Sequence, residues 1–407
     1  MRYLSSLVLV LFCACLQAQN FKSITDFGVN AKNDAATNKV ALQKAIDWAS
    51  TFGGALFVDP SEEPYKIDGG LILKANVSLI GVHAATPRGT KHPAKREPVG
   101  SVFSITDTKN PFLTVRSSTQ IKGIQFYYPD QTVNDPNKII KYPASIQVDK
   151  QTMTQGVLLS CLTFYGEYLA MDFNADRNMP SELITIEHCY GYPYGGEFIR
   201  FDYCYDIPRI LNCHVNPGVM RGFKGQVHRD VVDAVIAKKT FTYSINHTDN
   251  AQLIDVFTFG VYGGIYLGPE SYGQLTNFNL DCVTVGIYKL GANTKNRNWM
   301  IAQGSIIANT GPDLEAIHPI IIEGEGHTAI SNLEAFSGPN PALTTIKEGQ
   351  SYDYMLVKGN RRLTVTVMGC RMRNYHSENP LTKKNPQASI QFVGCVDKEE
   401  KFYNKTF

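Results

Sequence analysis

The chain has 407 residues, 43% of them hydrophobic and 19% charged, with 39 Lys plus Arg against 37 Asp plus Glu. That balance describes a folded protein rather than a disordered one. A formal charge of +2 without a basic cluster lacks the footprint of a nucleic-acid binder, and no later apolar run reaches the ~18 residues of a membrane span.

Residues 1–18 read as a signal peptide. Arg2 supplies the positive start, Leu4 to Leu16 is mostly apolar, and Ala18 offers a small residue for cleavage before Gln19. The mature chain, 19–407, is therefore expected to be secreted or periplasmic; Cys13 and Cys15 leave an outer-surface lipoprotein as the alternative. Beyond the leader stand Cys161, Cys189, Cys204, Cys213, Cys282, Cys370 and Cys395, an odd number that fits a disulfide framework poorly. Without a C-x-x-C pair or a matching histidine cluster, no metal site is expected among them. Next, Ala41, Leu42, Ala45, Ile46, Trp48 and Ala49 recur at helical spacing and predict an amphipathic helix. Phe52-Gly53-Gly54 ends it, and short strands follow at Ala55–Val58, Tyr65–Ile67, Leu71–Leu73 and Val77–Ile80.

This opening region, about residues 22–83, carries a resemblance. Asp26-Phe27-Gly28-Val29 with Ala31 and Asp34, then Ala41-Leu42-Gln43 with Ala45-Ile46, then Gly53-Gly54 with Leu56 and Val58, then Leu79-Ile80-Gly81, resemble the start of the pectate lyase superfamily domain. The resemblance implies a right-handed parallel β-helix, with residues 19–83 forming the N-terminal cap and first coils. It also implies action on a polysaccharide, by hydrolases, lyases or non-catalytic members, and fold does not choose among these.

Downstream, a small polar or turn-forming residue before an apolar one recurs. The apolar positions are Ile124, Cys161, Cys189, Cys213, Val256, Cys282, Ile306, Leu333, Cys370 and Cys395. Most steps fall between 24 and 28 residues, the period of stacked supersecondary units. Short units without a helical pattern predict an all-β, single-stranded solenoid whose coils bury their apolar sides against one another. The helix would cover its first rung, and the cysteines would stack as small apolar side chains. The longest interruption, 214–250, is read as an inserted loop and helix.

Candidate chemistry sits at three places. The residues before the repeat position (Ser160, His188, Asn212, Asp255, Asp281, Ser305, Asn332) form a column that would stack Asp255 on Asp281, an acid–base pair or a hydrogen-bonded backbone ladder. Glu323 and Glu325, two apart on one strand, would face the same side with His327 nearby, as a catalytic cluster or a solvated face. Gly326-His327 resembles the glycine-histidine-glycine of polygalacturonases, but Thr328 replaces the second glycine and that family's paired Asp-Asp is absent. The 214–250 segment offers His214, Arg221, Lys224, His247 and Asp249 for substrate. Tyr262 and Trp299, with Glu270, would complete a sugar site.

The expectation is an exported enzyme that cleaves glycosidic bonds in an acidic or pectin-like polysaccharide by carboxylate hydrolysis. The alternatives are β-elimination by basic residues of 214–250 and a non-catalytic glycan-binding β-helix. The partner is a polysaccharide or oligosaccharide, and no cofactor is called for; calcium enters only on the lyase reading.

Overall fold

Asp34 begins the first element. Its carboxylate accepts the backbone N–H of Thr37 at 2.7 Å and caps helix α1, Ala35–Ser50. Ala41, Leu42, Ala45, Ile46 and Ala49 turn inward and are buried over the first coils. Trp48 stays partly exposed between the rings of Phe27 and Phe52. The computed structural model describes residues 20–83, 97–291, 298–309, 311, 317–337 and 352–407. The leader at 1–18 lies outside them, as do residues 84–96 and 338–351.

The strands before Phe402 pair in parallel, coil upon coil, on three faces. Face A runs through Gln120–Lys122, Thr154–Ser160, Ser181–Glu187, Arg209–Leu211 and Ala251–Ile254. Face B follows with Thr163–Tyr165, Tyr190–Gly191 and His214–Val215. Face C holds Leu169–Asn174, Glu197–Asp202 and Phe241–Ile245. Later strands bend through the corners: Phe257–Leu267 serves B and C, and Gly273–Lys289 serves all three. This is the right-handed parallel β-helix with an N-terminal helix that the sequence predicts.

Alternation along each strand fills the interior. Ile121, Leu159, Ile186, Ile210, Leu253, Leu275, Ile301, Ile330 and Val367 stand in one register column and are at most 1% exposed. Each such side chain contributes about 1.5–3 kcal/mol on burial, so the core grows one rung at a time. A final strand, Phe402–Thr406, pairs antiparallel to Ala388–Val396 and covers the last rung.

From Gly123 onward, the corner from A to B is one residue wide and takes a left-handed backbone in each coil. Gly123, Cys161, His188, Asn212, Asp255, Asn277, Gln303, Asn332, Gly369 and Gly394 occupy it with φ between +49° and +69°. This column corrects the repeat phase. Asp255 stacks on Asn277, because Ile254 pairs with Thr276, whereas Asp281 pairs with Phe259 four positions further along. The two carboxylates are not stacked. Cys161 likewise is the corner residue itself, with Leu162 in the core, and Cys282 turns the corner from B to C opposite Gly260. Cys189, Cys213, Cys370 and Cys395 do fill the core column, and all seven described cysteines are free thiols.

The insertion joins face B to face C. It consists of a 3-10 turn, Pro217–Gly222, and helix α2, Arg229–Ile236. Val231, Val232, Val235 and Ile236 bury the inner side of α2, the Phe223 ring meets Tyr165 at 4.9 Å, and His228 N–H donates to Val133 O. Pro217 and Val232 lie over Gly260 at the B-to-C corner. The insertion thus seals the B-to-C corner, whereas Asp255 stands at the A-to-B corner of the same coil. No helix among the described residues is long and apolar enough to cross a membrane.

Candidate functional site

The corner from face C to face A carries a cleft. Leu267, Lys289, Ile322 and Val357 are in register on successive coils. Two residues after each of them stand Pro269, Gly291, Gly324 and Gly359. The three glycines have φ of +102°, +91° and +102°. A Cβ on Gly324 would lie 1.7 Å from Leu290 O, and one on Gly291 2.8 Å from Glu325 N. Side chains are therefore excluded from the floor, and a cleft of about 350 Å³ opens among Glu270, Glu323, Glu325, Asn360 and Arg361.

Glu323 and Glu325 are not two residues of one strand. The strand ends at Ile322, and the two carboxylates flank Gly324 in the turn. Both nevertheless line the cleft. Glu323 accepts the Tyr288 hydroxyl and pairs with Lys358 Nζ at 3.2 Å; Glu325 faces Arg361 at 3.4 Å. Glu270 stands on the opposite rim, exposed, with φ +52°. Its coil lies two steps from that of Glu325, about 9.6 Å at the usual strand spacing. His327 follows on face A, with Nε2 3.3 Å from Thr366 Oγ1.

Beneath the cleft, Lys289 points inward. It is 1% exposed, and its Nζ donates to Glu325 O at 3.0 Å. Burial draws its amine down to about 8.

Beside the cleft, face C presents rings. Phe241, Tyr262, Tyr266 and Tyr288 form one partly exposed cluster, with centroid separations from Phe241 of 5.9, 5.5 and 6.1 Å. Burial and the Glu323 carboxylate push the Tyr288 phenol well above its ordinary value, so it stays a donor. The Lys358 ammonium lies 5.1 Å from the Tyr288 ring centre. The corner continues upstream with His247, stacked on Tyr203 at 4.4 Å and paired with Asp202 at 2.7 Å, and with Asp249, which accepts the Tyr272 hydroxyl. Glu270, Glu323, Glu325, His327, His247, Asp249 and Tyr262 thus share one side of the molecule.

The other predicted residues lie elsewhere. Asp255 and His214 line a separate groove where faces A and B meet. Asp281 sits further along face B beside Cys282. Arg221 is exposed on the insertion, and Lys224 reaches over the Tyr127 ring at 5.8 Å. Trp299 is fully buried, with its indole N–H on Ser271 O at 3.1 Å, and is a core residue rather than a sugar platform. Residue-level reading missed Tyr288, Lys289, Lys358 and Arg361. The glycines two positions after Lys289, Ile322 and Val357, three successive strand ends of face C, were the available signal. Among the described residues no group of three His, Cys, Asp or Glu could hold a metal ion.

No family model and no curated protein matches the chain. Solved structures do. DFA-IIIase from Arthrobacter chlorophenolicus A6 superposes with a TM-score of 0.57 at 11% identity, over 94% of this chain and 97% of that one. The same enzyme in complex with GF2 gives 0.56 at 10% identity, over 95% and 97%. A hyperthermoactive exopolygalacturonase from Thermotoga maritima gives 0.47 at 11% identity, over 95% and 94%. At such identity the likeness to DFA-IIIase is one of fold. It runs nearly the full length of both chains, and the fold is the right-handed parallel β-helix that the pectate lyase superfamily resemblance implies.

Proposed function

We propose that the chain is a carbohydrate-active enzyme that hydrolyses glycosidic bonds at the cleft between faces C and A. One observation carries the reading: a partly exposed cluster of Phe241, Tyr262, Tyr266 and Tyr288 adjoins a cleft holding three carboxylates and two cations. Ring faces stack on sugars, and paired carboxylates cleave the bonds between them. The DFA-IIIase complex with GF2 is consistent with a fold that serves saccharide chemistry.

In this reading Tyr288 and Lys358 orient the Glu323 carboxylate toward the cleft. Glu325 acts as the base on water, and Glu270, across the cleft without an ionic partner among the described residues, donates the proton to the leaving oxygen. A separation of two coil steps, about 9.6 Å, leaves room for that water and matches the upper end of the inverting geometry. Lys358 and Arg361 suit an acidic sugar, in keeping with a pectin-like polysaccharide substrate.

A second reading, β-elimination, draws on the same cations and on Lys289, an amine near 8 just below the floor. The basic residues of the insertion do not serve it, because Arg229 pairs with Asp233 and the insertion covers another corner. Incubation with plant and algal polysaccharides, reading reducing ends and ultraviolet absorbance together, separates the outcomes. Hydrolysis yields reducing ends without new absorbance, and Glu325→Gln and Glu270→Gln should each lower kcat by a hundredfold or more, within the range expected for a lost acid or base. New absorbance would replace hydrolysis with elimination. Full turnover in a folded Glu325→Gln protein would remove the carboxylate mechanism, and binding without turnover would leave a glycan-binding β-helix.

A further inference from the structure

The groove between faces A and B lies at the other edge of face A from the cleft and is built differently. On face B, Tyr190, His214 and Phe257 are in register on three coils. Their rings stack: Tyr190 on His214 at 5.7 Å and 20°, His214 on Phe257 at 4.2 Å and 15°. The ladder then stops. The next two positions are Asn279 and Ser305, followed by Glu334 and then Arg371. One face of the Phe257 ring is covered by His214, Asn279 stands in register on the next coil, and the partly exposed ring borders a groove of about 590 Å³. Phe257 and Glu334 are three coils apart, about 14 Å, the length of two to three sugar rings.

The lining explains what such a groove would hold. Asn277, Asn279 and Asn332 offer amides that make no side-chain hydrogen bond among the described residues, and Ser305 adds a hydroxyl. Asn277 and Asn332 occupy the left-handed corner, which Asn tolerates and which turns their amides outward. Amides both donate and accept, as sugar hydroxyls do. Glu334 is countered by Arg373 at 2.9 Å and Arg371 at 3.3 Å, which leaves the exposed Asp255 carboxylate at the near wall as an acceptor for sugar hydroxyls and disfavours an anionic ligand.

We propose that this groove is a second, non-catalytic binding site for a neutral oligosaccharide. The first sugar packs against the exposed part of the Phe257 ring beside Asn279, and its neighbours are held by the corner amides. The site stands independently of how the cleft at the other edge of face A cleaves.

Saturation-transfer NMR with neutral gluco-, galacto-, manno- and fructo-configured trisaccharides tests it on the full chain. Wild type and Glu325→Gln should bind one of these with equal affinity. Phe257→Ala, and Ser305→Trp, which fills the groove without touching the ladder, should each weaken binding at least about tenfold at unchanged Tm. Two folded variants at distinct positions keep a folding defect from imitating the result. Binding that survives both overturns the proposal, as does binding lost only in Glu325→Gln, which would put the sugar in the cleft. Failure of every trisaccharide to bind wild type at millimolar concentration overturns it too.

Discussion

An amine drawn inside a β-helix leaves a signature in the pH dependence of stability. Lys289 titrates near 10.5 when unfolded and near 8 when folded, chiefly because it is buried. Between those values the unfolded chain holds the proton and the folded chain does not, so stability rises with pH across the window. Below pH 8 both states are charged and the full penalty, roughly 3 kcal/mol, is present. Lys289→Met removes the titration and keeps the volume. The wild-type urea midpoint should therefore climb from pH 7.5 to 9.5 relative to that of Lys289→Met, and parallel profiles would contradict an inward amine. If Lys289 assists catalysis through the Glu325 carbonyl that it holds, the same variant should change the pH–rate profile as well as the midpoint.

At the level of the corner, backbone conformation outranks side-chain identity. Cys161 sits at φ +54°, a region that disfavours Cβ and punishes β-branching. Cys161→Val should cost about 2 kcal/mol or more, whereas Cys161→Gly should be neutral or stabilising by up to about 1 kcal/mol; thermal midpoints of the two, moving in opposite directions from wild type, would check this. The same column shows what the sequence made legible. The helix, the coil period and most of the core positions followed from spacing, because alternation and burial write themselves into apolar residues. The phase did not. In Gly273–Lys289 one strand runs through two corners, so both Asn277-Phe278 and Asp281-Cys282 fit the repeating phrase. A period alone cannot choose between them, and the Asp255–Asp281 pair dissolved with that choice. Glu323 and Glu325 were found for a different reason than the one that unites them: a glycine corner, not strand alternation, turns both into the cleft. Their partners Tyr288, Lys358 and Arg361 come from neighbouring coils 35 or more residues away along the chain or across one strand pairing, a relation that only the register reveals.

The whole molecule is a stack with two unlike ends, and each end must stop further pairing. At the first coil α1 lies over the rung. At the last, Phe402–Thr406 pairs antiparallel to Ala388–Val396, placing Tyr403 and Phe407 against Phe392 at 5.5 and 6.0 Å. Deleting residues 398–407 would bare the Ala388–Val396 edge together with the apolar face of Phe392. An open, regular edge recruits another strand. The intact α1 blocks the first rung, so a second copy cannot add there and head-to-tail fibres are not expected. The remaining partner for a bared edge is the same edge of another copy. The truncated protein should therefore form dimers that close through their C-terminal rungs, by the antiparallel pairing that the lost strand supplied. Light scattering across a concentration series reads the outcome directly: a dimer that dissociates on dilution supports a one-dimensional stack with a single open end. A truncated chain that keeps the wild-type mass at every concentration would mean that the final strand is not what guards the rung.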